Sequence, residues 1–462
     1  MNPAWAAPSP ETLLTPEQLR ADFVQLYEGL KSSHVNLFVN IDEATYQEHF
    51  EETYRLLNQP MDRLKAQILF QEFVALGRIA HARIDFPTEA YRQYREAGGL
   101  AFPIYVNIDD DQWTIADNYS EHKIAAGSSI THIDDIPVQT WLTRLQSHMS
   151  ADTPAISASL LEYQLPQYLW LIDQIHQRET SQYKLTLNLD GKQKAITVAN
   201  ISRSTLEQRA SNSASAESDE AVKLRDYRLL GPGVGYLKPG PFYNAENPAE
   251  LWNTTDFEVL INKAFEYFIE QDVKSLVIDV RENPGGSNSF SDPLIAWFAD
   301  KPFRFASEFL VRSSRAAQLS NEQRLQNNAN SPNATSEKLA TAYQNNPYGT
   351  SFSFELPYSK PKAGQRFEGE IYVLIDRSSY SNAVSLAAIV QDYNLGEVIG
   401  EASADFATTY ASMESFTLDN SGISVGFPKA HIIRPSGDRT AGPVVPDAPL
   451  KGHKLEALIP TL

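Results

Sequence analysis

The chain has 462 residues, a formal net charge of −19, 42% hydrophobic residues and no cysteine. Its length implies two or three domains. Its acidity argues against nucleic acid as a partner, and the missing cysteines exclude disulfides, thiolate metal sites and a cysteine nucleophile.

At the N-terminus, Ala4-Trp5-Ala6 followed by Ala7-Pro8 reads like the end of a signal peptide, so an exported protein, periplasmic or secreted, is expected. No apolar run reaches the roughly 18 residues that a membrane-spanning helix needs. Thr15–His34 is predicted helical. Thr15 caps it, Pro16 suits the first turn, Gln18 completes a capping box, and Leu19, Phe23, Leu26, Tyr27 and Leu30 follow helical spacing. Helical patterns continue over Glu43–Leu57 and Met61–Ile79, and His81–Phe86 reads as extended. Residues 10–90 therefore form a helical N-terminal region.

From Gly99 the texture turns to short alternating runs, "FPIYVNI", "QWTIADN", "SSITHID" and "YKLTLNLDGKQKAITVANI", with Asp190-Gly191 as a hairpin signal. "DIPVQTWLTRLQSHM" between them reads as a helix. Residues 95–203 form a β-rich module, and the polar stretch 204–226 is read as a linker. In 227–462, strands at Gly235–Phe242, Ser275–Val280 and Ile371–Asp376 alternate with helices at Phe257–Gln271 and Ala383–Tyr393. That alternation predicts an α/β unit with a mainly parallel sheet. The Asn-rich stretch 320–354 reads as a surface insertion.

Two stretches of this unit carry chemistry. The apolar strand "SLVIDV" empties into Asn283-Pro284-Gly285-Gly286, a turn with little to offer but backbone N–H groups. The strand "IYVLID" empties into Ser378, Ser379 and Ser381 and then a helix of small and apolar residues. In open α/β sheets, sites lie beyond the carboxyl ends of strands. A serine at a helix start meets the positive end of the macrodipole, where a developing oxyanion is stabilised. On spacing alone, a serine there is most often a cap and a Pro-Gly-Gly turn only a turn.

These residues resemble the C-terminal processing peptidase and tricorn-core family of serine peptidases. "LVIDVRENPGG" matches its D-x-R-x-N-x-G-G strand and turn, and "IYVLIDRSSYSNAVSLAAIVQDYNLGEVIGEAS" its nucleophile strand, helix and V-I-G-E strand. Looser matches are "AGSSITHIDDIPVQTW" to a PDZ-like segment, "SSHVNLF" and "LGRIAHARIDF" to N-terminal stretches of the tricorn-like branch, and "GPVVPD" to a C-terminal signature. The resemblance implies an α+β multidomain protein: a crotonase- and ClpP-like α/β catalytic core, a PDZ-like β module and a helical N-terminal region. It puts the nucleophile on Ser381, with Ser379 and Ser378 as fallbacks, and the oxyanion hole on the N–H groups of Gly286 and Asn382. The lysine used by processing peptidases falls on Phe406, so a serine–lysine dyad is not expected. The histidine of the tricorn-like branch falls on His81, an imidazole suited to take the serine proton near neutrality. The acid of that branch falls near Thr440. Asp438 is the nearest carboxylate, with Asp447, Glu401 and Glu414 as further options. Val384 stands where the family often has glutamate.

Peptides or unfolded protein tails are the expected substrates, and neither metal nor cofactor is expected, since no His-Glu-x-x-His run, Walker loop or calcium-loop spacing occurs. The alternative is a catalytically inactive relative that binds peptides or other ligands in the same groove. Substrate preference and oligomeric state are not legible.

Overall fold

The computed structural model describes residues 13–109, 112–189, 191–217, 223–327 and 334–450. The signal-like Ala4–Pro8 stretch and Asp190 of the hairpin signal lie outside the described residues. Two compact units divide the chain. One comprises Met1–Asp219, Ser314–Ser320 and Ser412–Lys429, and the other Glu220–Ser313, Asn321–Ala411 and Ala430–Leu462.

The first unit opens with helices α1 (Pro16–Ser33), α2 (Glu43–Leu56), α3 (Arg63–Ala75) and α4 (Thr88–Glu96). The capping box forms as its residues predict: Thr15 Oγ1 accepts the Gln18 N–H, and Gln18 Oε1 accepts the Thr15 N–H at 2.9 Å. The apolar stripe of α1 is buried against an aromatic cluster in which Phe23 stacks on Phe50 at 5.1 Å and meets Phe73 edge-on at 4.8 Å. Asp22, on the same helix, is fully buried, and its carboxylate accepts the N–H groups of Asn420 and Ser421 at 2.9 and 2.7 Å.

A sheet follows, made of β1 (Ile104–Asp109), β2 (Gln112–Asn118), β3 (Ser129–Ile133), β4 (Ile136–Pro137), β5 (Gln182–Leu189) and β6 (Lys192–Ala199), ordered β1-β2-β3-β5-β6 with β4 on β3. Helices α5 (Val138–Gln146) and α6 (Pro154–Ile175) interrupt it, and α7 (Arg203–Glu217) lies within the stretch read as linker. Helix α6 is the element that periodicity leaves unread. It is apolar on more than one face, with Leu161, Leu165, Leu169, Trp170 and Leu171 all buried, and it carries Pro166 inside it. A helix packed on several sides shows no 3.6-residue stripe.

The second unit contains β7 (Asp226–Gly231), β8 (Val234–Lys238), α8 (Thr255–Glu270), β9 (Ser275–Asp279), α9 (Asn288–Ile295), β10 (Glu308–Arg312), α10 (Arg315–Asn327, whose start belongs to the first unit), α11 (Ala334–Asn345), β11 (Ser351–Ser353), β12 (Glu370–Ile375), α12 (Asn382–Asp392), β13 (Glu397–Gly400) and β16 (Ala448–Pro449). Between the last two, β14 (Thr409–Thr417) and β15 (Ser424–Ile433) form a hairpin whose tip belongs to the first unit. The main sheet runs β16-β13-β12-β9-β8-β7, parallel except for the β7–β8 pair, as the alternating strands and helices predict. Strand β9 is buried at every residue, and Ala383, Val384, Leu386, Ala387 and Ile389 of α12 pack into the same core as Phe265, Phe268 and Phe290. Val384, at the position where the resemblance leads one to expect a glutamate, is thus an ordinary core residue. The fold is mixed α/β.

Candidate active site

Strands β9 and β12 lie side by side and parallel, with Asp279 opposite Leu374, so their carboxyl ends open at the same edge. Hydrogen bonds tie the two turns that leave this edge into one structure. The Asp376 carboxylate accepts the N–H groups of Glu282 and Ser378 at 3.1 and 3.0 Å, reaching across from one strand end to the other. Tyr380 N–H donates to the Asn283 carbonyl at 2.9 Å. Asn283 Nδ2 reaches the Gly240 carbonyl at 2.6 Å, while its Oδ1 accepts the Gly285 N–H at 2.9 Å. Below the turn, Arg281 is paired in two-pronged fashion with the buried Asp279 carboxylate, which also accepts the Tyr236 hydroxyl at 3.0 Å. The "D-x-R-x-N" residues therefore act as scaffold for the diglycine bend.

Ser381 sits where β12 has turned into α12, with φ 53° and ψ −115°. A non-glycine residue held in this region carries strain of about 1–3 kcal/mol, and such strain concentrates at functional sites. Its side chain makes no capping bond to the helix, so the bland reading of Ser381 as a helix cap does not describe it. A sharp strand-to-helix turn presents a side chain outward at the head of the helix dipole, as nucleophilic serines require.

The diglycine bend faces this serine. A Cβ placed on Gly285, whose φ is +80°, would lie 2.5 Å from the Tyr380 carbonyl oxygen, 2.7 Å from the Asn382 nitrogen and 2.8 Å from the Ser381 Cβ. Only glycine lets the two turns approach so closely. Next to it, Phe242 N–H donates to Gly285 O, and Ser287 N–H donates to Phe242 O, both at 2.9 Å. In such a parallel bridge the intervening residue turns its own N–H to the opposite side, so the Gly286 N–H points away from Phe242. Asn382 opens α12, and its N–H is one of the first-turn donors that a helix leaves without an intrahelical acceptor. Its side chain is anchored, Nδ2 donating to Ser291 Oγ on α9 at 2.9 Å.

The bend makes a sharp prediction. A methyl group at Gly286, which has φ +138°, would collide with the Phe242 carbonyl oxygen. Gly286→Ala is expected to lower the stability of this unit by roughly 2–4 kcal/mol, read as a drop in the urea midpoint.

The other predicted residues fall as follows. Ser379, a fallback nucleophile, is fully buried, and its hydroxyl donates to the Val280 carbonyl at 2.7 Å. It pins the two strand ends together. Asp438 lies in an exposed turn, where its carboxylate accepts the Thr440 N–H at 2.9 Å. That hydrogen bond holds its pKa below the ordinary value. Asp447 accepts the N–H of Val398 and the side-chain amide of Gln391. Glu414 is in a buried ion pair with Lys429. His81 belongs to the first unit, on the loop after α3. It is buried, and its pKa is pushed down to about 3, mainly by desolvation and then by the neighbouring Arg83.

One residue beside the serine escaped the sequence reading. Asp405 is buried, and its carboxylate accepts the Ser381 N–H at 2.6 Å. Its backbone carbonyl accepts the Ser403 hydroxyl at 2.7 Å, and Ser403 Oγ in turn accepts the Val444 N–H at 2.9 Å. The signal was present as one acid in the small-residue stretch "ASADFATTY", adjacent to Phe406. Its importance lies in a bond to a backbone amide, which spacing does not report.

Comparison with known proteins finds a family model and several solved structures similar to this chain. Residues 234–450 match the model of Peptidase family S41. Among solved structures, mature CPAF complexed with lactacystin matches with a TM-score of 0.65 and 15% identity, over 94% of each chain. Mature CPAF matches with a TM-score of 0.64 and 14% identity, over 94% of this chain and 93% of that one. The photosystem II D1 C-terminal processing protease matches with a TM-score of 0.43 and 14% identity, over 94% and 93%. No curated protein matches in sequence. At these identities the CPAF likeness is one of fold.

Proposed function

Through residues 234–450 the chain belongs to peptidase family S41, and from that premise we propose that it is a serine endopeptidase acting on peptides or unfolded protein tails. The observation that carries this reading is the backbone of Ser381: φ 53°, at the head of α12, with Gly285 of the diglycine bend packed so close that a Cβ there would lie 2.8 Å from the Ser381 Cβ. In the proposed reaction the Ser381 hydroxyl attacks the scissile carbonyl carbon while the neutral His81 imidazole takes its proton. The N–H groups of Gly286 and Asn382 hold the oxyanion of the tetrahedral intermediate. The imidazolium then gives its proton to the leaving amine, and water releases the acyl group by the same steps in reverse. Asp405 fixes the Ser381 amide and hence the direction of the side chain. In this reading the sheet of the first unit is a PDZ-like module that docks an extended peptide by strand addition, and the protein works after export. No helix among the described residues is long and apolar enough to cross a membrane.

The test is covalent. A fluorophosphonate probe should label the folded chain once, and mass spectrometry of the digested product should place the adduct on Ser381. An adduct on Ser378 or Ser379 would refute the assignment. A well-folded sample that takes no label would return the chain to the inactive, peptide-binding alternative.

A further inference from the structure

The proposed peptidase leaves one role open, that of the group that orients the His81 ring and balances its charge when it takes a proton. Asp438 holds its carboxylate in its own exposed turn. Within the first unit, however, a side-chain nitrogen of His81 and a carboxylate oxygen of Asp152 lie within 4.8 Å of each other. The two residues sit on separate loops, one after α3 and one before α6.

A buried amide holds those loops together. Gln71, on α3, donates from Nε2 to the His148 carbonyl and to Ser150 Oγ, both at 3.2 Å. Its Oε1 accepts the Ile84 N–H at 2.6 Å. One side chain thus ties the backbone just before Asp152 to the backbone just after His81. Each loop is pinned again at its far side. Arg83 and Gly426 exchange N–H···O bonds at 3.1 and 2.8 Å, and Asn40 Nδ2 donates to the Arg78 carbonyl at 2.7 Å. Thr153 Oγ1 caps α6 by accepting the Ile156 N–H at 3.3 Å. A buried glutamine bridging two loops is costly to leave unsatisfied, so this spacing is a property of the fold and not of two free side chains.

From this geometry we propose that Asp152 is the positioning carboxylate of the site, orienting the His81 ring and stabilising the imidazolium that forms during turnover. This assignment rests on the peptidase reading above. The cation formed on a buried imidazole has lost its water, and Arg83 beside it carries the same sign, its own partner being Asp85 at 2.8 Å. A carboxylate within a few ångströms is the group that offsets both. Asp152 is only partly buried.

The experiment compares fluorophosphonate labelling of the full chain with that of Asp152→Asn, Asp152→Ser, Asp152→Glu and Asp438→Asn, separating the maximal labelling rate from the concentration needed for half of it. Asp152→Asn and Asp152→Ser should each lower the maximal rate about 10²–10³-fold, leave the half-saturating concentration within about twofold, and keep the wild-type unfolding midpoint. Asp152→Glu should recover at least a tenth of the rate, and Asp438→Asn should react like wild type. A merely structural role would move the unfolding midpoint and the half-saturating concentration instead. If wild type is labelled on Ser381 and both neutral Asp152 variants react as fast, the assignment falls alone. It falls too if Asp438→Asn carries the loss. A wild-type chain that takes no label overturns the peptidase reading and this assignment with it.

Discussion

Ser381→Ala and Ser381→Gly are both expected to reduce peptide turnover about 10⁶-fold, and the glycine variant is expected to be more stable than wild type by about 1 kcal/mol. The first half follows from chemistry. Without the hydroxyl no acyl intermediate forms, and what survives is the modest acceleration supplied by the oxyanion donors acting on water. The second half follows from the backbone. At φ 53° and ψ −115°, a side chain costs about 1–3 kcal/mol. Glycine relieves that strain but costs about 0.5–1 kcal/mol in chain entropy, so relief wins by a small margin. Alanine keeps the Cβ and so keeps the strain, and its unfolding midpoint should match wild type. Steady-state kinetics and urea unfolding on the three proteins check the pair of expectations. A glycine variant less stable than alanine would mean that the turn is unstrained, and appreciable turnover by either variant would move the nucleophile elsewhere.

What could be read in the residues and what could not divide along a physical line. The capping box at Thr15 and Gln18 and the alternating strands and helices of the second unit are local patterns, and they recur in the structure near their predicted bounds. The diglycine turn and Ser381 were legible for the same reason: each follows a buried strand, and parallel strands open at a shared edge. Asp405 and Asp152 were not legible. One accepts a backbone amide and the other is placed by the way Gln71 joins two loops, and neither relation has a period or a motif. Helix α6 was missed because burial on several sides erases the stripe that periodicity detects. The expectation for Asp438 came from its nearness in sequence to a motif, and nearness in sequence says nothing about where a carboxylate points.

His81→Gln carries two effects that should appear together. The buried imidazole has its pKa pushed down to about 3, against an ordinary value of 6.5. It is therefore neutral at pH 7, and a ring held so low is a weak base unless a nearby carboxylate offsets the charge that it takes on. On the proposed mechanism its loss should lower turnover about 10⁴–10⁶-fold. The same shift is a statement about stability. The unfolded chain binds a proton at this residue below about pH 6.5 and the folded chain does not until about pH 3, so between those values stability falls as pH falls. Between pH 7 and pH 5 this residue alone should cost about 2 kcal/mol. His148, buried and pushed down to about 4 by desolvation, acts in the same direction over a narrower window. Glutamine cannot protonate, so urea unfolding of His81→Gln should lose less stability than wild type over that pH range, by roughly the 2 kcal/mol assigned to the histidine. A variant that kept its turnover would remove His81 from the mechanism. A variant whose acid sensitivity matched wild type would show that the imidazole is hydrated in the folded protein, and a hydrated ring would titrate near neutrality and follow ordinary histidine behaviour in the pH–rate profile.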